Sequence, residues 1–286
     1  METIGVQDLW SFEDGGDEAV IANCRDVRKS RGHQVGSYME LAGKIAELQF
    51  QNRDYVFLFR GQVHDHQNTN GLSVLQPSIF RREVGNHDLS YLSARYDKLA
   101  QAERILLERF RDADFIGFDE LSRHKVLRWA ILQHYEVCET PLLDVTQSLR
   151  IAASFASDEN DTDEAFLYVL GVPNISGAIS ASAEAGIQSI RLSGICPPRA
   201  MRPHLQEGYL LGNYPDIDSY VEKQLYGLPE IDFGKRLIAK FLFNPGSFWT
   251  RGGQFQAIGK RALYPSSTND PLLRVTQAVN EQLSDR

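Results

Sequence analysis

The chain has 286 residues, 42% of them hydrophobic and 24% charged, and 38 acidic against 30 basic side chains give a net charge of −8. This composition supports a substantial core. It argues against general affinity for nucleic-acid backbones, whose binding depends on neutralising phosphates with Lys and Arg. A local basic cleft stays compatible with it, because net charge does not locate charges. Cys24, Cys138 and Cys196 are widely spaced, with neither a disulfide framework nor zinc-ligand spacing. Reduced thiols in the cytoplasm are the expectation. The opening METIGVQDLWSFEDGG lacks the basic-then-apolar order of a signal peptide. No apolar run approaches the roughly 20 residues that cross a bilayer.

Residues 1–35 are polar and read as an N-terminal extension, mobile or at an edge. In SYMELAGKIAELQF (37–50) the spacing of Met39, Leu41, Ile45 and Leu48 predicts an amphipathic helix. YVFLF (55–59) follows as a buried strand, and HDHQNTNG (64–71) as a polar loop. Pro77 breaks LSVLQPSIFRRE into an extended segment and a turn. Helices are predicted over 93–115, with Tyr96, Leu99, Glu103, Leu106 and Phe110 on one side, and over 120–135, with Leu121, Leu127 and Ile131 inward. TPLLDVT (140–146) is a short buried strand leading into the helix QSLRIAASFAS, with Thr146 or Ser148 as its cap.

The second half changes to short β-like runs at 165–173, 187–194, 208–214 and 237–243, bounded by Gly, Pro and Asn. A poorly defined helical pattern covers 245–258. A clean one starts at NDPLLRVTQAV, with Asp270 as cap, Pro271 in the first turn and Leu272, Val275 and Val279 inward. Helices followed by strands predict an α+β fold, a helical block on a mostly antiparallel sheet. The expected organisation is a domain over 36–243 and a helical tail over 244–286.

Three polar interruptions of apolar sequence stand out: FRGQ (59–62), LQHYEVCETPLLDVTQSLRIAASFA (132–156) and RPHLQEGYLLG (202–212). In that order they resemble the FRG domain family, over roughly residues 37–243. The signature stands here as Gln133, His134, Tyr135, Thr140, Leu142, Leu143, Asp144, Thr146, Phe155 and Ala156. Glu136 occupies a place where the family usually has glycine, and Pro141 one where it usually has arginine. A looser similarity connects the strand bearing Arg60 and Gly61, and the later Thr-bearing strand and helix, to the arginine–serine–glutamate ADP-ribosyltransferases. That resemblance implies an ADP-ribosyltransferase-like fold and NAD as ligand. It makes Arg60 the phosphate clamp, with Thr146 and Tyr135 at the nicotinamide ribose. Gln206 or the adjacent Glu207 would act on the ribose hydroxyl. Gly61, Gln62, Gln133, His134, Asp144 and Arg202 complete the expected ligand-binding set.

The chemistry behind those roles is general. A guanidinium meets phosphate oxygens two at a time and keeps its charge at cellular pH. Glycine beside it admits a ligand close to the backbone. A carboxylate near the ribose would stabilise an oxocarbenium-like state, whereas a glutamine there binds a hydroxyl without balancing a cation. Each residue also has a structural reading. Arg60 can pair with an internal acid, Asp144 and Thr146 can cap the next helix, and His134 and Tyr135 can be core residues with satisfied polar tips. HDH (64–66) is a solvated loop before it is a metal site, and no metal is expected. Two functions are therefore in play. One is an NAD-dependent ADP-ribosyltransferase or glycohydrolase. The other, which the resemblance brings with it, is a non-catalytic nucleotide-sensing or protein-interaction module in bacterial stress or phage defence.

Overall fold

The computed structural model describes residues 7–81, 90–174, 176–227, 231–250 and 255–284. Along the chain the elements begin β1 (Asp8–Phe12), β2 (Ala19–Asn23), α1 (Cys24–Lys29), β3 (His33–Gln34), α2 (Tyr38–Gln51) and β4 (Val56–Gln62). There follow α3 (Ser90–Asp112), α4 (Phe118–Arg123), α5 (Lys125–His134), β5 (Leu143–Thr146), α6 (Leu149–Ser157) and β6 (Ala165–Val172). Next come β7 (Ile179–Ser182), β8 (Ile187–Arg191), α7 (Met201–Leu205), β9 (Gly208–Asn213) and α8 (Tyr220–Lys223). The last are β10 (Leu237–Phe243), α9 (Pro245–Phe248), α10 (Lys260–Leu263) and α11 (Pro271–Ser284). Helices combined with mostly antiparallel strands make this an α+β protein. Among the described residues no helix is long and apolar enough to cross a membrane.

The chain divides into two compact units, each assembled from three separate stretches. The first is Met1–Leu75, Val145–Ile175 and Phe233–Leu263; the second is Gln76–Asp144, Ser176–Asp232 and Tyr264–Arg286.

In the first unit the strands lie in the order β3-β10-β6-β4-β5, with only β3 and β10 parallel. β4 pairs with β6 from Val56↔Val172 to Gln62↔Phe166. Because strand side chains alternate, Phe57, Phe59 and Gly61 share one face while Leu58, Arg60 and Gln62 share the other. The first face forms a core with Leu41, Ile45 and Leu48 of α2 and Ala152, Ala153 and Ala156 of α6. Ser37 caps α2, accepting from the Glu40 N–H at 3.2 Å. Met39, expected inward, is 54% exposed.

In the N-terminal stretch the described residues, from 7 onward, carry β1, β2, α1 and β3. β1 and β2 form a hairpin, and β3 lies on the edge of the sheet against β10. Asn52, at the end of α2, ties down the hairpin by accepting from Trp10 N and donating to Trp10 O, both at 3.0 Å.

In the second unit β7, β8 and β9 form an antiparallel meander. Its core takes Leu99, Leu106 and Phe110 from α3, Trp129 and Ile131 from α5, and Leu272 and Val279 from α11. The helix predicted over 120–135 is two helices, since His124 is extended at φ −115° and ψ 104°. The Arg128 guanidinium sustains the break. It donates to the carbonyls of Leu121 (2.8 Å) and Ser122 (3.1 Å) while bound to Glu103 (2.6 Å). The pattern over 245–258 yields only α9; residues 251–254 lie outside the described residues, and 255–259 are not helical. α11 begins as predicted, with Asp270 Oδ1 accepting from the N–H groups of Leu272 (3.1 Å) and Leu273 (3.2 Å).

Candidate functional site

Arg60 stands directly across from Tyr168 on β6, and Tyr168 directly across from Lys240 on β10. Cross-strand partners project from the same face, so the three form one row. Lys240 is fully buried. Its ammonium donates to Asp65 Oδ2 and to Ser73 Oγ, each at 2.9 Å. The Tyr168 hydroxyl donates to the other oxygen of Asp65, also at 2.9 Å. Burial works to raise the Asp65 carboxyl, but hydrogen bonds from Ser73, Gln67 and Lys240 outweigh it and hold it below the usual range. Burial, and then Asp65, push the Tyr168 phenol upward, with the nearby Arg60 cation opposing them.

Gly61 has a different role from the one expected. A Cβ there would stand 1.8 Å from Ala152 O and 3.0 Å from Ala156 N, so this glycine admits α6 rather than a ligand. Gln62 is half-buried, and its Oε1 has no hydrogen-bond partner among the described residues. Thr146 pairs with Phe59 and so lies on Phe59's face, opposite the side chain of Arg60. Its Oγ1 accepts from Ser148 N at 3.0 Å, which fixes the turn into α6. The structure does not bring Arg60 and Thr146 to one face.

The remaining expected residues belong to the second unit. There, Gln133 is the hub of a hydrogen-bond network. Its Oε1 accepts from Thr140 Oγ1 (2.7 Å) and Ser78 Oγ (3.0 Å), and its Nε2 donates to Asp144 Oδ2 (2.7 Å). Thr140 N donates to Ser78 Oγ at 3.1 Å, and Leu142 N to Thr140 Oγ1 at 3.2 Å. His134 Nδ1 lies 3.8 Å from Asp144 Oδ1. Burial pulls the His134 pKa down despite that carboxylate, so the imidazole is neutral in the fold. Its Nε2 is buried with no hydrogen-bond partner among the described residues.

Tyr135 reaches a residue that sequence reasoning had only as a helix cap. Its hydroxyl donates to Asp270 Oδ2 at 2.9 Å, and the same oxygen accepts from Arg202 N at 2.8 Å. The Arg202 guanidinium lies between the rings of Tyr135 (5.6 Å) and Tyr264 (5.0 Å) and pairs with Glu136. Glu136 itself has φ +57°, the left-handed region that favours glycine.

Gln206 and Glu207 are not on a strand. Gln206 ends α7, 5% exposed, with its N–H donating to Arg202 O at 3.1 Å. Glu207 turns the chain at φ +45° with its side chain exposed, and β9 starts only at Gly208. A Cβ on Gly208 would meet Leu192 Cδ1 at 2.7 Å and His134 Cε1 at 3.3 Å, so here too a glycine makes room for protein. Among the described residues no cluster of His, Cys, Asp and Glu is arranged to hold a metal.

Sequence reasoning read Asp65 as part of a solvated loop, whereas its side chain is 8% exposed, and did not single out Tyr168 or Lys240. The available signal was a lone lysine in the apolar run LIAKFLF. No curated protein and no solved structure matches the chain. The FRG domain family matches residues 55–165. That span includes β4 with its Phe59-Arg60-Gly61, the network around Gln133-His134-Tyr135, and β5 and α6. The chain thus contains an FRG domain at residues 55–165.

Proposed function

We propose that the protein binds a phosphorylated, nucleotide-like ligand through Arg60, with NAD as the first molecule to try. The observation that supports this reading is the row Arg60–Tyr168–Lys240, in which two cations and a phenol share one face, with Asp65 bound to Lys240 and Tyr168. A guanidinium at the end of a central strand suits a phosphate by charge and by fork geometry. The enzymatic form of the proposal is an ADP-ribosyltransferase or NAD glycohydrolase with an ADP-ribosyltransferase-like fold.

The position of Gln206 favours the non-catalytic form, a nucleotide-sensing or interaction module in a bacterial stress or phage-defence system. Gln206 is a buried helix-ending amide, and its neighbour Glu207 points into solvent. Neither stands where a strand would offer a carboxylate to a ribose.

Calorimetric titration with NAD, together with an assay for released nicotinamide, tests both forms. Binding that is lost in Arg60→Ala supports the proposal, and nicotinamide release that is also lost in that variant selects the enzyme. Absence of NAD binding, or binding that Arg60→Ala leaves intact, would sink it.

A further inference from the structure

β7 is the outer strand of the second unit's meander, and among the described residues no strand pairs along its far side. Arg191 N donates to Ala178 O at 2.8 Å, with Ile179 set against Ile190 and Ser180 against Ser189. Hydrogen-bonded and non-hydrogen-bonded pairs alternate along an antiparallel ladder. Ala178, Ser180 and Ser182 therefore turn their backbone groups toward β8. The N–H and C=O groups of Ile179 and Ala181 turn outward, a template for one more strand.

The side chains on this edge point the same way. Cross-strand neighbours share a face, so Leu210, Ile190 and Ile179 form one row. Leu210 and Ile190 are fully buried, whereas Ile179 is 40% exposed. The apolar row thus runs off the sheet unfinished. Open edges are ordinarily guarded by a charge or a proline. Residues 176–183, SGAISASA, have neither. β2, the outer strand of the N-terminal hairpin, differs, since Asp17 and Glu18 stand just before it.

We propose that β7 is a self-association edge, pairing antiparallel with β7 of a second copy of this chain about a two-fold axis at Ser180. The register selects this occupant. An axis at Ser180 sets Ile179 against the second copy's Ala181, and Ala181 against its Ile179. Both outward residues are then engaged, and each pair exchanges both of its backbone hydrogen bonds. Each half-exposed isoleucine gains a small alanine beside it, which prolongs the apolar row. No charged side chain lies on either strand, which matters for copies that each carry −8. A contact of this kind is isologous and closes at the dimer. It is independent of any ligand at Arg60.

Sedimentation equilibrium of the full chain from about 1 to about 200 µM tests the proposal, a range suited to a small, weak interface. Wild type should pass reversibly from monomer to dimer as concentration rises. Ala181→Pro removes an outward N–H without touching the ladder to β8. Ile179→Lys places a charge on the edge. Each should weaken dimerisation at least about tenfold while leaving the circular dichroism spectrum unchanged. Ser180→Cys reports the register, because residues facing each other in a non-hydrogen-bonded pair lie about 4.5 Å apart at Cα, within disulfide reach. Mild oxidation should link two copies of that variant and leave wild type unlinked. A wild-type chain that stays monomeric throughout overturns the proposal. So does a folded Ala181→Pro or Ile179→Lys variant that dimerises like wild type, or a dimer that Ser180→Cys fails to cross-link. Should Ala181→Pro fail to fold, Ile179→Lys and the cross-link decide between them.

Discussion

Gly61 and Ala152 are packed so closely that a Cβ on the glycine would lie 1.8 Å from the alanine's carbonyl oxygen. The obstacle is helix backbone, which cannot rotate away as a side chain can. Gly61→Ala must therefore push α6 off the sheet, at a cost of roughly 3 kcal/mol or more, the upper end for overpacking a core. Urea denaturation followed by circular dichroism measures this. An unchanged midpoint would mean that α6 does not sit on β4 as described.

Gln133 satisfies two hydroxyls and a carboxylate at once. Gln133→Ala strands those partners, and stability should fall by about 2–4 kcal/mol, a sum over several orphaned groups. Ser78→Ala removes one link only and should cost about 1 kcal/mol. Equal losses from the two would show that Gln133 is not the hub.

Tyr135 and Asp270 are joined by a buried hydrogen bond across 135 positions of sequence. Asp270→Ala loses this bond and the cap of α11 together, so a loss of about 2–3 kcal/mol is expected. Tyr135→Phe should cost about 1–2 kcal/mol. In the double variant the losses should fall short of additive by about 1 kcal/mol, the coupling between touching residues. Full additivity would show the pair to be energetically independent.

His134 carries a pH dependence whose sign is fixed by its burial. Its pKa in the fold lies below the ordinary 6.5, so below about pH 6.5 the unfolded chain binds the extra proton first. The stability held by the neutral ring is complete above that pH and declines as pH falls toward the folded value. Urea midpoints for wild type should therefore drop between about pH 7 and pH 5, and more steeply than for His134→Gln. Parallel curves would assign the slope to other groups.

The family match over 55–165 draws β4, the end of β5, α6 and the first residue of β6 from the first unit, and α3 to α5 with the start of β5 from the second. Produced alone, this fragment lacks β10, Asp270 and α11. It should show no cooperative unfolding transition and little amide-exchange protection. A protected, cooperative fragment would contradict the division of the chain described here.

Much of this fold is legible from local pattern. α2 announces itself by periodicity, α11 by cap and periodicity, and β6 and β10 by short β-like runs bounded by Gly, Pro and Asn. What escapes is decided by distant partners. The polar N-terminal stretch leaves both a mobile and an edge reading open, because its hairpin is half-exposed and is fastened by Asn52. His124 breaks a helix with neither Gly nor Pro present, because Arg128 reaches back and Glu103 steadies it. Gln206 reads as a strand residue because nothing in a Glu side chain announces φ +45° at the next position. At Gly61 the sequence correctly signals close approach to the backbone. It is silent on what approaches, and the answer is a helix.

β3 and β10 pair side by side, His33 with Phe241, although two hundred residues of translation separate them. A ribosome delivers the edge of the first sheet long before its neighbour. The opening strands must therefore wait, exposed or chaperoned, until residue 243 clears the exit tunnel. Completion of this sheet waits for β10, and products stalled or truncated before it would present unpaired strand edges for aggregation or proteolysis.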